Sequence, residues 1–226
     1  VKIAEIFHSI QGEGKLMGVP SVFVRASGCN LRCTWCDTPY ASWNPQGEEM
    51  PIAAIVAKIG EFACKHVVLT GGEPMIMPDI AQLCERLKSR DHHITIETAA
   101  TLHTPIKLDL ASLSPKLANS TPINTPFAAA HERQRLNIAV IQQFIDHSPD
   151  FQLKFVVANE SDLNEIHAIL EKLHNWQPSD VLLMPEGTDA ATLDSRAAWI
   201  ADLCKRTGFR YCSRLHIALF GNRRGT

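Results

Sequence analysis

Apolar residues recur along this chain at two spacings that take turns. Lys2 to Phe7 and Ser21 to Ala26 read as short strands, the second with Val22 and Val24 on one face against Phe23 and Arg25 on the other. From Pro51, a residue suited to a first helical turn, Ile52, Ile55, Val56, Ile59 and Phe62 fall at helical spacing and predict an amphipathic helix. His66 to Thr70 is a continuous run rich in β-branched residues and closed by Gly71-Gly72. Asp79 to Lys88 then places Ile80, Leu83, Cys84 and Leu87 on one helical stripe. The alternation continues with strands over His93 to Thr98 and Ile106 to Leu113, a helix over Glu132 to Ile145, and a strand over Phe151 to Ala158. Leu163, Ile166, Ile169, Leu170 and Leu173 form the next helical stripe. Val181 to Met184 predicts a strand, Thr192 to Arg206 a helix, and Phe209 to Leu219 a last extended stretch.

Strands alternating with helices of about 10 to 15 residues predict an α/β fold with a mainly parallel sheet, curving into a partial (β/α) barrel. No internal repeat, low-complexity segment or Ser/Gly-rich linker interrupts the pattern, so residues 1–226 read as a single domain. Ligands of such folds gather at the carboxyl ends of the strands, which makes the residues just after each strand the first candidates for chemistry.

Composition narrows the classes. A hydrophobic share of 45% with 20% charged residues can bury a sizeable core and excludes a disordered chain, a coiled coil and collagen. Twenty-two basic against 24 acidic residues leave a formal charge of -2, which offers no global field for a nucleic-acid backbone and favours a small-molecule partner over direct nucleic-acid contact. No apolar run approaches the roughly 20 residues needed to cross a bilayer, and the first residues lack a basic and then apolar leader pattern. The expectation is a cytoplasmic protein without membrane contact.

The 7 cysteines divide unevenly. Cys64, Cys84, Cys204 and Cys212 stand singly among apolar neighbours and read as small buried hydrophobes. Cys29, Cys33 and Cys36 instead form C-x3-C-x2-C in a polar loop, Gly28 to Gln46, that follows a strand. Three thiolates so close can wrap one compact centre, either an iron–sulfur cluster or zinc. A structural zinc site is normally closed by four ligands and the chain has no second C-x2-C, although His8 or His66 could complete one. Three cysteines on a four-iron cube leave one iron open to bind a small molecule. At this level a zinc-stabilised binding module remains the rival.

Cys29-x3-Cys33-x-Trp35-Cys36 after a strand, with Gly71-Gly72-Glu73-Pro74 after the next, resembles the radical S-adenosylmethionine (SAM) superfamily. Glu5-Ile6-Phe7-His8-Ser9-Ile10-Gln11-Gly12-Glu13-Gly14, Arg25 and Cys36-Asp37-Thr38 are further similar to the 7-carboxy-7-deazaguanine synthase family of queuosine and deazapurine biosynthesis, over nearly the whole chain. The resemblance implies a reduced radical SAM barrel, a homodimer, a 4Fe-4S cluster, SAM and Mg2+. It also implies a lyase reaction: 6-carboxy-5,6,7,8-tetrahydropterin becomes 7-carboxy-7-deazaguanine with loss of ammonia, after a 5′-deoxyadenosyl radical abstracts the C6 hydrogen. An external electron donor of flavodoxin or ferredoxin type is implied, and no catalytic side chain beyond the cofactors. A glycyl-radical-enzyme activase is the alternative within the superfamily, against which the Gln11-Gly12-Glu13-Gly14 segment speaks.

Carried over by position, the resemblance makes Cys29, Cys33 and Cys36 the cluster ligands and Thr38 the magnesium ligand. It places Gly72, Ser114, Pro115 and Lys116, together with Gln152, Leu153, Lys154 and Phe155, around SAM. It assigns Ile10, Gln11, Gly12, Glu13, Thr70 and Thr226 to the pterin, with Arg25 holding the substrate carboxylate. The last role suits a guanidinium fork, which pairs carboxylates at two points. Asp37 is expected to tune the site from behind or to cap the loop, without a direct metal bond.

Overall fold

The computed structural model describes all of residues 1–226. One nine-stranded sheet organises the chain. It opens with an antiparallel pair, β1 (Lys2–Ile10) and β2 (Pro20–Ala26), joined by the glycine-rich turn. A two-residue strand, β3 (Glu48–Glu49), pairs with the outer edge of β1. Everything beyond β2 is parallel: β4 (His66–Gly71), β5 (His93–Thr98), β6 (Leu110–Leu113), β7 (Phe151–Val157), β8 (Val181–Pro185) and the short β9 (Arg210–Tyr211) follow in spatial order.

Helices α1 (Ile52–Ile59), α2 (Ile80–Lys88), α4 (Ile138–His147), α5 (Asp162–Leu170) and α6 (Ala190–Thr207) return the chain between the parallel strands. Their apolar stripes meet the outer face of the sheet in one core, where Ile55, Ile59, Leu83, Ile94, Phe144 and Phe155 are almost wholly buried. Side chains at the other face, from β1 through β8, line a single hollow. That is possible only if the sheet bends around it, as a partial barrel does, and the edge strands β3 and β9 leave it unclosed.

Three predicted segments differ. The helix expected over Glu132 to Ile145 is two helices, α3 (Ala128–Gln134) and α4, because Asn137 leaves helical geometry and its side chain caps α4 by accepting from the Val140 amide. Only Leu110–Leu113 of the strand expected from Ile106 pairs. Asp109 before it accepts bonds from Lys88 and from the Ile94 amide, which anchors the approach to the strand through a side chain. The stretch from Phe209 to Leu219 gives just two strand residues before it turns into α7 (Leu215–Phe220).

At the amino ends of β4 and β5, away from the hollow, His66 and His93 pack with ring centroids 4.6 Å apart, and neither buried Nδ1 has a protein partner. Burial, then the neighbouring His93 and Lys65, lowers the His66 pKa against the opposing pull of Asp109. The unfolded chain therefore takes up the His66 proton more readily than the folded one, and stability falls as pH drops through about 6.5. His66→Gln is expected to flatten that slope, read from urea midpoints at about pH 7 and about pH 5.

Candidate active site

The hollow lies at the carboxyl ends of the parallel strands and has a volume of about 270 Å³. One wall is the cysteine loop. Its backbone is fixed at several points: the Gly28 amide donates to the Ala41 carbonyl at 2.8 Å, Thr34 N–H to Ser120 at 2.9 Å, and the Trp43 indole to Cys33 at 3.0 Å. The Arg32 amide donates to Nδ1 of the buried His131 on α3, whose Nε2 meets Ser120 Oγ at 2.9 Å. Gly72 seats the next loop beneath it, since a Cβ there would come within 2.0 Å of the Gly28 carbonyl oxygen. Glu73 is a brace: its buried carboxylate accepts from Thr98 Oγ1 and from the Met75 and Ala99 amides, tying the loop after β4 to the loop after β5.

All three loop cysteines line the hollow as free thiols. Burial pushes Cys29 up to about 11 and Cys33 up to about 12, with Lys116 pulling the other way. A bound metal centre deprotonates coordinating thiols outright, so this donor set would hold a cluster as thiolates. No three Cys, His, Asp or Glu side chains converge tightly enough to grip a single ion.

The opposite wall comes from β1, β2, β4, β5, β7 and the segment around α7. Arg25 donates Nε to Glu5 at 2.7 Å and lines the hollow, with no protein acceptor on its Nη groups. Gln11 Nε2 and Thr70 Oγ1 both donate to Glu97, at 3.0 and 2.8 Å. Glu13 is held between Lys154 and Arg214, the latter at 3.0 Å, and Arg214 also grips Asp37 and the Gly187 carbonyl. Burial alone would raise the Glu13 and Asp37 pKa values, but Lys154 and Arg214 hold Glu13, and Arg214 holds Asp37, below the usual carboxylate range. His216 packs against Gly12, where any Cβ would strike its ring, and the Leu215 amide donates to the Gly12 carbonyl at 2.9 Å.

Of the residues expected at the site, Ile10, Gln11, Gly12, Glu13, Arg25, Thr38, Thr70, Gly72, Ser114, Lys116, Lys154 and Thr226 line the hollow beside the three cysteines. Leu153 and Phe155 do not: strand alternation turns both side chains into the core, so any ligand contact of theirs runs through the main chain. Pro115 lies outside the lining as well. Gln152 instead supports the turn, accepting from the Lys15 amide and donating to Ser112. Sequence reasoning missed Arg214, Glu97 and His216.

The radical SAM superfamily model matches residues 23–133, the stretch that carries the cysteine loop and the Gly-Gly-Glu-Pro turn. A 7-carboxy-7-deazaguanine synthase of Halobacterium salinarum is 44% identical over 97% of this chain and 90% of its own length. Its counterpart in Rhodopirellula baltica is also 44% identical, over 99% and 88%. The chain belongs to the 7-carboxy-7-deazaguanine synthase family. Among solved structures, QueE from Escherichia coli shares the fold at TM-score 0.73 with 23% identity, covering 95% of this chain and 94% of that one. Membership in the 7-carboxy-7-deazaguanine synthase family makes the chain a radical SAM enzyme with a 4Fe-4S cluster and SAM, and sets aside the activase alternative. None of its helices is long and apolar enough to cross a membrane.

Proposed function

We propose that this hollow converts 6-carboxy-5,6,7,8-tetrahydropterin into 7-carboxy-7-deazaguanine and ammonia, with Cys29, Cys33 and Cys36 holding the cluster and the opposite wall holding the pterin. The observation that carries the reading is this pairing of a three-thiol wall with a wall built of Arg25, Gln11, Thr70 and Glu97, across one partly enclosed hollow. When bound, the cluster and SAM would supply radical chemistry directed at the substrate C6 position. The chain's own residues position, neutralise charge and keep water out.

The Gly72 main chain, Ser114 and Lys116 stand next to the thiols, where the methionyl end of SAM would lie. Lys116 Nζ donates to Ser114 Oγ at 2.8 Å and sits over the Trp35 ring, so its charge is directed without being cancelled by a carboxylate. Arg25 offers its free Nη edge to the substrate carboxylate. Glu97 accepts two hydrogen bonds already and orients Gln11 and Thr70 toward the amino-pyrimidine. Thr38 would give magnesium one hydroxyl ligand, the remaining positions being water and substrate, in keeping with the few protein ligands this ion takes. A homodimer, a one-electron carrier and a cytoplasmic location complete the proposal, as does folding of residues 1–226 as one domain.

The deciding experiment is anaerobic turnover of cluster-reconstituted protein with SAM, reductant, Mg2+ and the carboxypterin, read by mass spectrometry. Formation of 7-carboxy-7-deazaguanine supports the whole reading. SAM cleavage with intact pterin would leave the radical core standing and overturn the substrate. Arg25→Ala is expected to raise KM for the pterin by about 10- to 100-fold, the range for losing a charge-assisted pair, while reductive SAM cleavage without substrate stays near parent rates. Equal saturation curves in variant and parent would remove the role of Arg25.

A further inference from the structure

The three cysteines of the loop keep unequal company. Cys29 Sγ accepts from the Leu31 amide at 3.3 Å, a main-chain donor that does not depend on the side chain at position 31. Cys33 is buried, and its carbonyl accepts from the Trp43 indole and the Cys36 amide while its sulfur takes no bond. Cys36 differs from both, because a side-chain hydroxyl reaches it: Ser42 Oγ lies 3.1 Å from Cys36 Sγ, whereas Thr38 Oγ1 stands off at 3.9 Å.

Ser42 is held for this contact from both sides. Ala41 before it accepts from the Gly28 amide at 2.8 Å and donates to the Thr38 carbonyl at 2.9 Å. Trp43 after it ties its indole to the Cys33 carbonyl at 3.0 Å. Ser42 itself is 3% exposed and lines the active-site hollow. With Oγ fixed in place, only the hydroxyl proton has a choice, between the Thr38 carbonyl at 3.4 Å and the Cys36 sulfur. The charge on that sulfur decides. A thiol can donate to Oγ and leave the serine proton to the long contact with Thr38. A thiolate has no proton to give, so the 3.1 Å contact is then a donation from serine, of the stronger kind made to a charged acceptor.

We propose that Ser42 tunes the cluster, its hydroxyl donating to the Cys36 thiolate and making the centre easier to reduce. The inference rests on the reading that the three thiols hold the cluster. Hydrogen bonds to the ligating sulfurs are one of the means by which a protein sets the potential of such a centre, since they stabilise the more negative, reduced state. One electron from an external one-electron donor enters the centre. The serine proton stays on Oγ throughout, and no bond forms or breaks. The same bond that favours electron uptake lowers the driving force for passing the electron on, so Ser42 sets the balance between the two without touching a reacting atom.

The test is an anaerobic spectroelectrochemical titration of the cluster-loaded chain without SAM or pterin, read by absorption near about 400 nm and by electron paramagnetic resonance of the reduced form. At a fixed potential the ratio of reduced to oxidised cluster in Ser42→Ala is expected to fall about tenfold, which for one electron is a shift of about 59 mV to more negative potential. Ser42→Thr, which keeps the hydroxyl, is expected to stay within about threefold of parent. Iron content per chain and the urea midpoint are expected to be alike in parent and Ser42→Ala, as a purely structural role would not allow. A ratio within about twofold of parent in an iron-loaded Ser42→Ala would overturn the tuning role, and so would loss of iron in that variant, which would make Ser42 a support of the loop instead. A parent that binds no iron fails differently: it removes the cluster reading and the inference with it.

Discussion

Cys33→Ala is expected to strip the protein of iron, of its brown absorption near about 400 nm and of all SAM cleavage, while leaving the fold in place. The side chain contributes little to packing beyond one small buried group, so stability should fall by only about 1 kcal/mol. The loop itself is held by other means: the His131, Ser120, Ala41 and Trp43 contacts all run through main-chain atoms that the substitution leaves untouched. Cys84→Ala is the informative contrast. That thiol is wholly buried in α2, outside the hollow's lining, and its loss should cost stability without changing iron content. Retained iron and SAM cleavage in Cys33→Ala would remove the cluster assignment.

Arg214→Ala is expected to destabilise the protein by about 3–5 kcal/mol, the cost of leaving buried charges without their partner. Its guanidinium bridges Glu13, Asp37 and the Gly187 carbonyl and holds the start of α7 against the glycine turn. Without it, Glu13 keeps Lys154 and the His216 ring, and Asp37 keeps only Arg25, with which it makes no ion pair. The acid limb of the stability curve should change with it. A carboxylate whose folded pKa is depressed adds stability that is complete above its unfolded pKa near 4.5 and is lost as pH falls. Removing Arg214 shrinks that contribution, so the variant should lose less of its remaining stability between about pH 5 and about pH 3 than the parent does. Arg214→Lys, which restores charge without the fork, should recover part of the loss. Chemical denaturation across pH measures all three effects, and a parent-like curve for Arg214→Ala would show the bridge to be idle.

The strands and most helices were legible because each buries one face, and burial leaves a period in the sequence. The cysteine loop and the Gly-Gly-Glu-Pro turn were legible because their chemistry is local. Arg214 was not: it meets Glu13 across 201 positions, in a segment without periodicity or motif, and its partner could only be chosen by the closed fold. Glu97 stands one residue before the end of β5, a position that favours function, yet nothing along the chain tied it to Gln11, 86 residues away. Leu153 and Phe155 turn into the core because a strand offers only alternate side chains to one face, a parity that resemblance over a whole segment does not carry.

The buried cations of the substrate wall already have owners, Arg25 facing Glu5, and Lys154 and Arg214 facing Glu13 and Asp37. An anionic guest arriving there finds hydrogen-bond donors but no surplus positive charge. Its admission becomes a question of the ionic medium: a divalent ion entering as escort would restore electroneutrality, and monovalent salt would be a poor substitute.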